Sequence, residues 1–161
     1  MRCLLLFLLL GAGCSRSPEP PANDAPRESA GSPVPIEEIR RDAEQGRPAS
    51  QRELAGRLLF GDGVATDPAA AVVWARRAAL NGDAIAALWT GRSALSEPGG
   101  RVEAAACFLV SKTGADEAAS QDAAAELEAL ALSEAELGVA AKRAEELKET
   151  IRTNSKQSGD L

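Results

Sequence analysis

Gly61-Asp62-Gly63-Val64-Ala65-Thr66-Asp67-Pro68-Ala69-Ala70-Ala71-Val72-Val73-Trp74-Ala75-Arg76-Arg77-Ala78-Ala79-Leu80-Asn81-Gly82-Asp83 reads as a turn, a helix and a turn. Gly61 and Gly63 supply the backbone freedom that a tight connection needs. Asp67 stands where an N-cap belongs. Pro68 takes the first helical position, where a missing N–H costs nothing. Ala71, Trp74, Ala75 and Ala78 recur at i, i+3, i+4 and i+7, which is one apolar helical face, and Trp74 is expected in the core. Gly82 ends the helix as its C′ residue.

Extended backwards to Ser50, this stretch resembles the signature of the Sel-one-like repeat (SLR) family, a branch of the tetratricopeptide-like α-solenoids. The family pattern is Ala-x-x-x-Leu-Gly-x-x-Tyr, a Gly-x-Gly-Val turn, Asp, Ala-x-x-Trp and Ala-Ala-x-x-Gly. Here it runs without a gap through Ser50, Leu54, Leu58, Gly61, Gly63, Val64, Asp67, Ala71, Trp74, Ala78, Ala79 and Gly82. The departures are Ser50 and Ala55, and Leu58 where the family favours Tyr. Ser50 to Phe60 and Asp67 to Asn81 form the complete repeat. Ile36 to Gly46 reads as the tail of a preceding, degenerate one, because Gly46 lies 36 residues before Gly82 and Ala43 lies 36 before Ala79. Ala84 to Leu95, with Ala86 and Gly91 in family positions, starts the next repeat. Arg101 to Thr113 completes it, with Ala105 and Phe108 standing 34 residues after Ala71 and Trp74. Asp116 to Leu132 is a further first-type helix without the glycine turn that would continue the array.

Ser133 and Glu136 form a capping box for a last helix. Leu137, Ala140, Ala141, Ala144, Leu147 and Ile151 line one face of it, and charged residues line the other. A single apolar face predicts a helix that covers the otherwise exposed end of the solenoid. The expectation is an all-α fold: a short right-handed α-solenoid of about seven helices with a C-terminal capping helix, spanning 36–153, and a tail that frays over 154–161.

Composition agrees. The 161 residues suit one domain, alanine and leucine dominate, and aromatics are few, which favours close-packed helices over sheets. The net charge is −6, and no basic stripe carries interleaved aromatics, so nothing points to nucleic acid. The absence of His removes the commonest general base and the commonest neutral metal ligand.

The N-terminal segment 1–13 reads as a signal peptide. Arg2 is a minimal positive region, and Leu4 to Leu10 is an apolar run too short to span a bilayer. Gly11-Ala12-Gly13-Cys14 resembles a bacterial lipobox, with Gly11 where Leu is usual. That resemblance implies lipidation at Cys14, and Ser15 after it implies export to the outer membrane, facing the periplasm. An ordinary secretory signal, giving a soluble periplasmic or secreted protein, is the alternative. Residues 14–35 hold six prolines from Pro18 to Pro35 and almost nothing apolar, as in a disordered tether. At about 3 Å per residue it would hold the domain several tens of Å from its anchor at most.

Little here suggests catalysis. With Cys3 removed and Cys14 lipidated, Cys107 is left alone in an apolar helix, where it reads as a buried inert thiol. A cysteine-rich branch of the family is linked to β-lactamase activity, but this chain lacks its paired cysteines and any Ser-x-x-Lys. No catalytic, metal or cofactor site is expected. The resemblance implies instead a concave surface, made by successive first helices, that takes a protein or peptide partner. In the family the residue before the Leu-Gly pair often faces that groove. Here those positions are Glu53 and Trp89, with Arg92 a turn later, and Trp and Arg are the residues most enriched at binding hot spots. The competing reading puts Trp89 in a buried stripe with Ile85 and Leu88. The function expected is a non-catalytic interaction module tethered to the cell envelope. The alternatives are an accessory structural subunit of an envelope or secretion complex and a β-lactamase-like enzyme.

Overall fold

The structure, a computed structural model, describes residues 34–159. The signal peptide, Cys14 and nearly all of the proline-rich segment lie outside the described residues. Seven helices follow one another: α1 Ile36–Glu44, α2 Pro48–Phe60, α3 Pro68–Leu80, α4 Ala84–Ala94, α5 Arg101–Lys112, α6 Glu117–Ala129 and α7 Glu134–Gly159. No strand occurs among the described residues.

Local chemistry sets the boundaries. Asp67, Asp83 and Asp116 each accept a hydrogen bond from the N–H three residues on, that of Ala70, Ala86 and Ala119, at 2.9, 2.8 and 2.8 Å. Each therefore caps one of the free N–H groups at a helix start. α2 begins two residues before its expected start, with Pro48 in its first turn. Gly61 and Gly82 end α2 and α3 at φ 78° and 95°, a region that Cβ-bearing residues rarely enter. The capping box of α7 is formed: the Glu136 N–H donates to Ser133 Oγ at 3.3 Å, and the Ser133 N–H donates to Glu136 Oε2 at 2.9 Å. The Ser133 hydroxyl also donates to Glu136 Oε2, at 2.8 Å, and the backbone and hydroxyl bonds from Ser133 to the ionised carboxylate hold Glu136 below its ordinary pKa.

Each helix packs on the next from α1 to α6, and α4 also reaches α6. The largest buried side chain is Phe108, fully enclosed with Leu88, Ala94, Ala104, Ala119 and Ala123. A second cluster, Ile39, Ala43, Leu54, Leu58 and Ala71, joins α1, α2 and α3. Between them, Ala78, Ala79, Ala86 and Ala87 bring α3 and α4 together. Small side chains let the helix backbones approach closely, which is how a chain so poor in large apolar residues builds a core. The buried Gln51 amide donates to Ala43 O at 3.0 Å and accepts from Asn81 Nδ2 at 2.9 Å, so one side chain links α1, α2 and the end of α3.

Two expectations need correction. The capping helix is present, but it does not sit on the end of the row beyond α6. It packs chiefly along α5 and, further on, against α3. Of the stripe assigned to its buried face, Ala140 and Ala144 are buried and Leu147 and Ile151 half-buried, whereas Leu137, in the first turn, and Ala141, at the edge of the stripe, are exposed. Beyond this stripe α7 continues to Gly159, and Asn154 Nδ2 donates to Leu80 O at 2.8 Å, tying the helix to the end of α3.

Trp74 is the second. It rests against the Ile39–Leu54–Leu58 cluster but is only half-buried, and the Arg77 guanidinium lies 4.7 Å from its ring centroid. Among the described residues the preceding repeat contributes the single helix α1 to the packing over the indole. Trp74→Ala should therefore cost about 2 kcal/mol, below the range for a fully buried Trp. A denaturant melt showing a loss above about 4 kcal/mol would mean that the ring is enclosed after all.

Candidate binding face

The first helices of the repeats, α2, α4 and α6, carry the residues singled out in the sequence. Glu53 sits in the second turn of α2, half-buried, and its Oε1 accepts from Arg57 Nε at 3.1 Å. Arg57, which the sequence reading passed over, is buried and also donates from Nη2 to Val34 O at 3.0 Å. Its pairing with Glu53 at i+4 is the signal that would have found it. A charge so enclosed needs such partners, so Glu53 orients Arg57 as well as facing outward.

Trp89 projects from α4 and is half-buried. A Cβ placed on Gly56 would lie 4.0 Å from the tip of its indole ring, an ordinary contact distance, so the ring lies beside α2. Of the stripe Ile85, Leu88 and Trp89, only Leu88 is buried. Glu53 lies one turn before Gly56 on α2, and Arg92 one turn after Trp89 on α4. The fold thus arranges the three along neighbouring helices.

Arg92 is engaged within the chain. Its Nε donates to Glu126 Oε1 at 2.8 Å and its Nη2 to Asp122 Oδ2 at 3.4 Å, both on α6. The hydrogen bond that Arg92 donates to Glu126, ahead of the other contributions, raises the Arg92 pKa above its ordinary value. Arg92 and Asp122 are 45% and 60% exposed, so the contact is a solvated one of at most about 1 kcal/mol that an incoming carboxylate can displace. At the inner edge, Arg52 Nε donates to Asp83 Oδ2 at 2.9 Å, and the same Asp83 caps α4.

Cys107 is buried in α5, and burial pushes its thiol up to about 11. At neutral pH it holds its proton, so it is a poor nucleophile and a poor metal ligand. Among the described residues no three His, Cys, Asp or Glu side chains converge to hold a metal ion.

No protein-family model matches the chain, and no curated protein matches it in sequence. Among solved structures it is similar to c5321, a protective antigen present in uropathogenic Escherichia coli strains that displays an SLR fold. The TM-score is 0.63 at 25% sequence identity, over 78% of this chain and 28% of that one. The chain thus spans little more than a quarter of that protein's length. SLR solenoids are scaffolds for protein interaction, each repeat presenting side chains from one helix to a common surface. Seven helices in this order, the repeat spacing from Gly46 to Gly82 and the structural match make this chain a short α-solenoid of the SLR fold.

Proposed function

We propose that the chain is a non-catalytic interaction module, held at the cell envelope by a lipid on Cys14, that binds a protein or peptide partner on the α2–α4–α6 face. One observation carries the binding half: a half-exposed indole, Trp89, lies beside a guanidinium, Arg92, whose own ion pairs are solvated and exchangeable. A rigid aromatic covers a large contact area with little loss of conformational entropy. A guanidinium that trades Asp122 for a partner's carboxylate keeps its charge paired throughout. Glu53 supplies the opposite charge on α2, which favours a partner surface of mixed rather than single sign.

Capture from solubilised envelopes with the full chain as bait, compared with the Trp89→Ala chain, tests the face. The substitution should weaken retention of a captured partner by about 2 kcal/mol or more, roughly thirtyfold, while the helical signal is preserved. Equal retention by both chains would move the binding surface elsewhere.

The anchor has its own test. Leu4 to Leu10 followed by small residues and Cys14 supports acylation, and several acyl chains at about 0.8 kcal/mol per buried CH₂ would hold the protein firmly. Cys14→Ser should shift the protein from the membrane to the soluble fraction and abolish incorporation of a labelled fatty acid. A variant that stays membrane-bound with unaltered mobility would overturn the anchor and leave the binding face untouched.

A further inference from the structure

Between α3, α5 and α7, with Ala87 and Thr90 of α4 at its floor, the helices leave an open cleft of about 280 Å³. Its walls include Leu80, Val110, Leu147 and Ile151, all half-buried, and Cys107 is among the residues that line it. A second hollow of about 240 Å³ shares Val110 and Ile151 with the first, so the apolar trough continues along the α5–α7 seam. Together they offer room at the lower end of what small-ligand sites use.

The charges on this trough are arranged asymmetrically. Arg143 is held between Glu103 and Glu146, and Lys148 and Arg152 are paired with Glu145 and Glu149. Arg76, at the cleft wall on α3, makes no hydrogen bond or ion pair among the described residues. Arg76 thus stands as an uncommitted guanidinium against an apolar hollow in a chain of net charge −6, where repulsion from the rest of the surface would otherwise discourage an anion.

We propose that this cleft binds a single-chain anionic amphiphile, its carboxylate or phosphate head at Arg76 and its alkyl tail along Leu147, Val110 and Ile151. The apolar walls gain from covering the tail, as for any apolar surface removed from water. Arg76 pairs the head in the bidentate geometry that a guanidinium offers both anions. The open end of the trough at Val110 and Ile151 lets tails of different length enter.

The test uses the full chain carrying Cys14→Ser, which keeps anchors and detergent out of the assay. Methyl signals of Val110, Leu147 and Ile151 are followed by NMR while hexanoate, octanoate, decanoate, decyl phosphate and decanol are added below their aggregation thresholds. Affinity should rise about two- to fourfold per methylene until the trough is filled. Decanoate and decyl phosphate should each bind about two- to fivefold better than decanol. Arg76→Gln, an exposed substitution, should leave the unliganded spectrum in place and remove that preference. A ranking of phosphate over carboxylate, or the reverse, identifies the head. The proposal is overturned if no saturable shift appears at these methyls, if decanol matches the anions, or if Arg76→Gln leaves the preference intact. It is equally overturned if the same methyls shift with protein concentration alone and the mass doubles, since the occupant is then a second copy of the chain.

Discussion

Replacing Phe108 with alanine should cost about 3–5 kcal/mol, which lowers the melting temperature by roughly 10–20 °C in a domain of this size. Phe108 has no solvent exposure, and it is the one large aromatic in a core otherwise built from alanine and leucine. Its neighbours Ala94, Ala104, Ala119 and Ala123 are too short to swing into the space it would vacate. The cavity would stay open rather than collapse, and the penalty for a core truncation grows with the volume left empty. Thermal unfolding by circular dichroism checks this. A shift of only two or three degrees would mean that α4, α5 and α6 are not locked together at this residue.

The second large effect is expected at Gly91. A Cβ there would lie 2.4 Å from Phe108 Cε1 and 3.1 Å from Ala104 O, so α4 and α5 meet with no room for a side chain between them. Two effects oppose each other at such a site. Any residue with a Cβ stiffens the helix relative to glycine, worth up to about 1 kcal/mol. Overpacking an enclosed contact costs about 1–3 kcal/mol and occasionally more. The clash wins, because Phe108 has nowhere to go and the Ala104 carbonyl is backbone. Gly91→Val, which also places two methyl groups against the ring and is a weaker helix former than Ala, should lose about 3 kcal/mol by denaturant melt. A neutral or stabilised variant would show that the two helices separate freely.

The sequence made the repeat legible because its signals are local. A cap such as Asp67, a proline at the first helical position and the Ser133–Glu136 box each act within one turn, so they survive any tertiary arrangement. Burial was harder to read. The stripe from Leu137 to Ile151 says that α7 has an apolar side, but whether its first turns are covered depends on how far α5 extends beneath them. Trp74 likewise belongs to a buried stripe, yet its exposure is decided by how much of the preceding repeat packs over it, and α1 supplies that cover among the described residues. The candidate face was legible as residue types, and the pairing of Arg92 was missed although a signal existed. Arg92 and Glu126 are 34 residues apart, the same interval that separates Trp74 from Phe108. Opposite charges one repeat apart on first helices fall side by side in a solenoid. Asn81 and Gly46, 35 residues apart, are joined across repeats in the same way. The missing turn glycine had a consequence the sequence did not announce: Ala131 takes a φ of 46° after α6, a left-handed conformation costing about 1–2 kcal/mol for a residue with a Cβ.

The return of α7 to α3 changes how this protein is made. An open row of repeats touches only its neighbours, so it is able to fold progressively from the ribosome and to fray from either end. Here Asn154 closes on Leu80 across 74 residues, and Arg143 reaches Glu103 across 40. Such distant contacts carry a loop-closure cost before they give anything back, which slows the final step. During synthesis the outer surfaces of α3 and α5 stay bare until α7 emerges, a window in which chaperones have apolar surface to hold. Once α7 has docked, its removal exposes both helices at once, so truncation near residue 140 releases the second and third repeats together rather than trimming one end.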